Sequence, residues 1–219
     1  MVQVLILAAV AAFLFWRLSI VLGVRTGFEK TLDIKIKTPN STNDTGLEAK
    51  NNENVTSDDD ISDYVDLDSE PGTHLIRIKE LEASFSVQKF VSGAKNAYEI
   101  ILMAYENGDL PTLQSHLAND VYEEFEATVT DRVNKGYKVD ANFIGLREIR
   151  IRDVIFEDES ANAEITVFFK CELTSVVRDS KEIIVEGSSS KVKSHTDVWT
   201  FGRKIGTDDP SWKLIATGS

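Results

Sequence analysis

Two residues apart on a strand, side chains project from the same face, and His195 and Asp197 stand in such a stretch, in line with Trp199 and Phe201. A carboxylate beside an imidazole can orient it as a general base, which would make the chain an isomerase-type enzyme working on a small molecule in an aromatic pocket. Lys193 continues the same row, so a surface pair at the solvated end of a strand is the plainer reading. His74 and His116 have no partner at metal-ligand spacing. Cys171 is the single cysteine, which excludes an intramolecular disulfide and a thiolate metal site, and its alternating surroundings fit a small buried apolar residue. No phosphate-cradling glycine loop and no serine in a nucleophile motif occurs, so no cofactor is implied.

Arg147, Arg150 and Arg152 are the one concentrated basic feature after residue 73. Arg150 and Arg152 alternate on a strand, where they would meet anionic headgroups or, more plainly, pair with acids across the sheet. The net charge of −12 is divided unevenly: +3 over residues 1–37, −9 over residues 38–72 and −6 beyond. A field of that sign repels a phosphate backbone, and nucleic acid is not an expected partner.

The elements that must carry these side chains follow from periodicity. Phe90, Ala94, Ala97, Tyr98, Ile101, Ala104 and Tyr105 recur at three- and four-residue steps, the stripe of an amphipathic helix that Gly108 ends. Asp109 can cap a second helix through Leu110, Leu113 and Leu117. Asn119 or Asp120 opens a third, with Val121, Phe125, Val129 and Val133 on one face and Gly136 at its close. Leu75 to Leu81 fits a further short helix. After Gly136 the period becomes two: strands are expected around Val139–Phe143, Ile149–Ile151, Ala163–Leu173, Glu182–Glu186, Val192–Phe201 and Ser211–Ala216. Helices first and strands afterwards predict an α+β domain, its antiparallel sheet covered on one side by helices. Such an arrangement encloses a pocket, for which Phe90, Ala94, Tyr98, Phe143, Trp199, Phe201 and Trp212 are the candidate lining.

Upstream of the domain the chain changes character twice. Val4 to Trp16 is unbroken apolar sequence, and beyond Arg17 it continues to Val24. As a helix, Val2–Leu22 would be about 30 Å long, the thickness of a hydrocarbon core. Residues 1–24 are therefore expected to form an uncleaved single-pass anchor, with Leu5, Phe13, Trp16 and Leu22 facing lipid and Arg17 reaching the headgroups. The basic charges all follow the apolar run, which by the positive-inside rule leaves the carboxyl side in the cytoplasm or the equivalent matrix compartment; an inner (cytoplasmic) membrane is the expected location. Residues 25–72 begin as a basic juxtamembrane segment and continue as an acidic, Asn- and Ser-rich linker expected to be disordered. Within it, Ile61, Tyr64, Val65 and Leu67 alternate with acids, a composition also seen in segments that fold on a partner.

Several short motifs fall in a familiar order. They are Phe90-Val-Ser-Gly93-Ala94-Lys-Asn-Ala97-Tyr98-Glu99, then Gly108-Asp109-Leu110-Pro-Thr112-Leu113, Val121-Tyr122-Glu-Glu-Phe125, Phe143-Ile-Gly145, Val198-Trp199-Thr200-Phe201 and Pro210-Ser-Trp212-Lys-Leu214. Over residues 85–219 the chain thereby resembles the C-terminal domain family of the mitochondrial inner-membrane translocase subunit 44. With the apolar N-terminus and Arg25-Thr26-Gly27-Phe28-Glu29 it is similar to the bacterial, alphaproteobacterial-type members. The resemblance implies a cone-shaped fold similar to nuclear transport factor 2, a large apolar pocket, peripheral attachment to anionic lipid and an adaptor role. Glu82-Ala83 departs from the Asp-Pro common in relatives, and the acidic linker replaces the long region that contacts a heat-shock chaperone.

The expectation that follows is a membrane-anchored adaptor, with a domain at 73–219, that holds a translocation-related protein or a membrane lipid at the cytoplasmic face. It is not expected to be an enzyme and implies no particular oligomeric state. The alternative is the isomerase-type enzyme, and a structural, ribosome-associated role is a third reading.

Overall fold

The structure, a computed structural model, describes residues 59–218. The expected anchor with Leu5, Phe13, Trp16 and Leu22, and the linker as far as residue 58, lie outside the described residues. Among the described residues five helices come first: α1 (Asp59–Ser62), α2 (Glu70–Leu81), α3 (Val87–Asn107), α4 (Leu110–His116) and α5 (Asn119–Asn134). Four strands follow, β1 (Lys138–Glu157), β2 (Asn162–Arg178), β3 (Ile184–Lys204) and β4 (Lys213–Gly218), in one antiparallel sheet of order β1-β2-β3-β4. This is the expected α+β class: α2 and α3 pack on β1, and α5 packs on β4.

Local chemistry sets the helix ends. The hydroxyl oxygens of Ser69 and Ser86 accept from the N–H of Gly72 and Lys89, capping α2 and α3. Gly108 closes α3 with φ 71°, a left-handed conformation that a Cβ would disfavour, and Asp109 caps α4 by accepting from Thr112 N–H. The start of α5 differs from expectation. Its N-cap is Ala118, which offers no side-chain hydrogen bond, and the Ala118 N–H donates instead to the Leu214 carbonyl of β4 at 2.8 Å. That helix start is fixed by the sheet, a contact that no local motif announces.

The expected strands are present but joined. Val139–Phe143 and Ile149–Ile151 belong to the single strand β1, in which three register shifts against β2 interrupt the alternation. Glu182 precedes β3, and the expected weak strand around it merges with the long one in β3, whose pairing with β2 shifts register between Leu173↔Lys193 and Ser175↔Ser188 and again between Val177↔Glu186 and Arg178↔Ile184. On β2, where no bulge intervenes before Leu173, Ala163, Ile165, Val167, Phe169, Cys171 and Leu173 all point into the core and are buried. Against them lie Phe90, Ala94, Tyr98 and Ile101 of α3, Trp199 and Phe201 of β3 and Leu214 of β4. Each large apolar side chain so covered contributes about 1.5–3 kcal/mol.

The folded unit begins earlier than its composition implied. Residues 59–72, expected as linker, carry α1 and the first residues of α2. Ile61 is fully buried, and Tyr64, Val65 and Leu67 pack against the core. Asp60 explains why so acidic a stretch docks: its carboxylate accepts from the N–H groups of Val87 (2.9 Å) and Gln88 (3.0 Å) and from Lys79 Nζ (3.1 Å). A charge that composition counts as solvated is thus a cap on α3, supplied from a distant part of the chain. The turn into α2 runs so close to itself that a Cβ at Gly72 would stand 2.2 Å from the Asp66 carbonyl oxygen.

Candidate apolar groove

The first turns of α3 present Phe90, Gly93, Ala94 and Ala97 along one stripe, and small residues at the last three leave a trough between α3 and the sheet. Phe85, from the α2–α3 connection, and Phe201, Pro210 and Trp212 close the other sides, giving a cavity of about 420 Å³. Aromatic edges set its walls: the Phe90 and Trp212 rings are 4.8 Å apart at 68°, and the Phe90 and Phe201 rings 6.2 Å apart at 80°. Its polar border is Glu82, Ser84, Ser86, Lys89 and Arg203.

Arg203 stands on β3 opposite Ala163, in the same inward row as Phe201 and Trp199. Its Nη2 donates to both oxygens of Glu82, at 2.7 and 2.8 Å, while its guanidinium carbon lies 5.2 Å from the Trp212 ring centre. Only 6% of the Arg203 side chain and 19% of the Glu82 side chain are exposed. Burial alone would raise the Glu82 carboxyl; the hydrogen bonds from Arg203 and from the Gly206 N–H, with the guanidinium charge, outweigh it and hold that carboxyl below its usual range. Nε of Arg203 is buried without a partner, a donor whose desolvation costs about 1–3 kcal/mol.

Of the seven residues expected to line a pocket, Phe90, Ala94, Phe201 and Trp212 border this groove. Tyr98, Phe143 and Trp199 do not. Tyr98 is sealed in the core, stacked on Phe169 at 4.3 Å and 11°, with Trp199 at 4.6 Å and Phe143 at 6.4 Å. Phe85, Gly93, Glu82 and Arg203 escaped the sequence reading. The signal for Arg203 was present, since two steps beyond Phe201 a strand keeps pointing inward, and a charge in an inward row needs a partner. Nothing local names Glu82 as that partner, 121 residues away.

His195 and Asp197 share the inward face as expected, but the pair is not a free surface couple. Asp197 Oδ2 accepts from the Tyr98 hydroxyl at 2.7 Å, its Oδ1 lies 3.3 Å from His195 Nε2, and its side chain is 15% exposed. The same hydroxyl is 3.2 Å from Cys171 Sγ. Burial first, and then the hydrogen bond to Asp197, push the Tyr98 hydroxyl pKa upward; burial pushes the Cys171 thiol upward as well. A phenol and a thiol so held stay protonated, and Asp197 serves as acceptor for a core tyrosine. A second cavity of about 370 Å³, bordered by Glu106, Arg132, Val133, Tyr137 and Lys138, also lies apart from His195 and Asp197.

Arg147 bonds to Glu172 across the sheet at 2.5 Å, and Arg150 pairs with Glu148 at 2.7 Å while covering the Phe168 ring. Arg152 falls in a register shift between Ile151 and Asp153 and is exposed. The bulge removes Arg152 from the simple alternation that paired it with Arg150. His74 Nδ1 lies 2.6 Å from the Val154 carbonyl oxygen, and His116 Nδ1 2.9 Å from that of Thr112. Among the described residues no three His, Cys, Asp or Glu side chains are placed to hold a metal ion.

Fold and groove together define a helix-on-sheet α+β module with an open apolar trough and a buried ion pair at its border. The chain belongs to the family described as "Tim44-like domain", which matches residues 72–219. Membership points to a membrane-associated scaffold of the protein-translocation kind. No curated protein matches. Among solved structures, the intermembrane-space region of the chloroplast protein ARC6 is similar at 11% identity and a TM-score of 0.41, covering 58% of this chain and 94% of that one. A de novo designed β-sheet protein is similar at 12% identity and a TM-score of 0.25, covering 60% and 87%. Neither likeness bears on function. Residues 59–71, with α1 and the Asp60 cap, precede the family match.

Proposed function

We propose that the chain is a single-pass scaffold of an inner membrane, in which residues 1–24 anchor it, the segment up to residue 58 acts as a tether, and residues 59–219 form the contact module on the cytoplasmic side. Its groove holds an apolar group of a membrane lipid or of a translocation-related protein, and the exposed Arg152, flanked by Arg147 and Arg150, faces the anionic surface. The observation that carries this reading is the open apolar trough on a domain of the Tim44-like family. The apolar run from Val4 to Val24 and the basic residues that follow it support the anchor and its orientation. Among the described residues no helix is long and apolar enough to cross a membrane.

The test is fractionation of the full chain followed by crosslinking in membranes. The chain is expected to stay in the membrane pellet after alkaline carbonate, to leave it when residues 1–24 are deleted, and to crosslink to a membrane lipid or translocation component through residues around the groove. Release of the intact chain by carbonate, or crosslinking confined to surfaces remote from the groove, would overturn the proposal. The isomerase reading rests on His195 and Asp197, and the use of Asp197 by Tyr98 gives it no support.

A further inference from the structure

The two edges of the sheet are finished differently. Along β1 three register shifts break the pairing, α2 lies against the strand, and the Val154 carbonyl oxygen is taken up by His74 Nδ1 at 2.6 Å. Such devices keep an edge from adding a further strand. On the far side β4 covers β3 only from Val198 to Gly202, so residues 184–197 have β2 on one side and, among the described residues, no strand on the other. Residues 189–192 are extended yet have no counterpart on β2 either, and the Ser190 N–H turns to the Ser188 hydroxyl oxygen at 3.3 Å. Ile184, Val185 and Val192 are large apolar side chains left exposed on this stretch. Glu186, Lys191 and Lys193 stand among them, and none of the three forms an ion pair with another described residue.

We infer that this half of β3 is where two copies of the chain join, edge to edge and antiparallel about a two-fold axis, so that their sheets become one. A two-fold axis fixes every pair once a single pair is chosen. Setting Glu186 opposite the partner's Lys191 brings Val185 opposite the partner's Val192 and Ser188 opposite the partner's Ser189, and each contact occurs twice. Opposed residues on antiparallel strands share a face, so the ion pair falls on one side of the joined sheet and the valine pair on the other. Setting Glu186 opposite the partner's Lys193 instead would leave Val185 against Ser194 and Val192 against Gly187. Lysines on an open edge repel an arbitrary strand, and Glu186 makes this one complementary to a second copy of itself. None of these residues borders the apolar groove, and the joint does not depend on what the groove holds.

Self-association of the full chain is measured by sedimentation equilibrium in density-matched detergent. Lys191→Glu and Glu186→Lys should each weaken it about tenfold, since two symmetry-related pairs turn from attraction to repulsion. The chain carrying both changes should associate as the parent does, with circular dichroism confirming that all three variants fold. The register is read by oxidation: a mixture of Val185→Cys and Val192→Cys chains should give a disulfide-linked dimer that neither chain gives alone, while the buried Cys171 stays out of the reaction. A monomeric parent overturns the inference. So does association indifferent to both single charge changes, the result expected if the apolar N-terminal run alone brought the copies together. Cross-linking of either cysteine variant with itself as strongly as in the mixture overturns it as well.

Discussion

Glu82 and Glu106 are half-buried carboxyls flanking the two ends of α3, and the protein treats them in opposite ways. Burial pushes both upward in pKa. At Glu82, two hydrogen bonds from Arg203 and one from the Gly206 N–H at 3.2 Å reverse the sign. At Glu106 burial wins: the Arg132 charge helps but its guanidinium donates to the Tyr105 carbonyl rather than to the carboxylate, the Ser175 hydroxyl is 3.4 Å away, His195 helps only by its charge and Glu186 opposes, so the carboxyl stays raised. Charge-assisted hydrogen bonds, rather than the degree of burial, decide whether such a group stabilises the fold. The groove end of α3 is therefore a built electrostatic site, and the other end a tolerated one.

The largest disturbance of this contrast should come from Arg203→Ala, which strands Glu82 and strips the cover from Trp212; a loss of about 3 kcal/mol is expected in urea unfolding. Adding Glu82→Gln to that variant should recover part of the loss, and no recovery would mean that packing, not the ion pair, carries the effect. Glu82→Gln alone should cost about 2 kcal/mol. Its pH signature follows from the lowered carboxyl: the contribution is fully present above the ordinary glutamate value of 4.5 and disappears as pH falls through the lower folded value, so the variant should converge on the parent in acid. Asp60, lowered from 3.8 because bonds from Gln88, Val87 and Lys79 overcome its burial, behaves in the same sense. Asp60→Ala should cost about 1–2 kcal/mol and speed amide exchange at Val87 and Gln88, the N–H groups it caps. The smallest effect, under about 1 kcal/mol because the site is partly solvated, belongs to Glu106→Gln, and its sign is opposite. The parent bears that penalty only as pH rises above 4.5 toward the raised folded value, so the variant should gain stability at neutral pH and none in acid.

The groove was half legible for reasons that particular residues make plain. Phe90 and Ala94 lay on a clear helical stripe, and Phe201 on an alternating strand, so each could be assigned to the inner layer. Which inner residues border open space and which are sealed depends on neighbours from three elements at once. Tyr98 differs from Ala94 by one helical turn, yet Phe169, Trp199 and Phe143 close over it, while Gly93 and Ala97 keep the surface beside Ala94 open. Arg150 and Arg152 mislead for a related reason: alternation holds only until a bulge inserts a residue, and the bulges of β1 are set by its pairing with β2.

Sequence by itself determined the order of elements, their periodicity, the cap at Asp109, the stop at Gly108 and the inward row of β2, because each depends on residues within a few positions of one another. The family resemblance, carried by short motifs in order, was likewise readable before any fold was known. Only the tertiary structure decided that Asp60 belongs to the folded unit, that Glu82 answers Arg203, that Asp197 answers Tyr98, and where the apolar layer stays open. Those pairings join segments that are from 19 to 121 residues apart, and which partner a buried charge finds is a property of the packed whole.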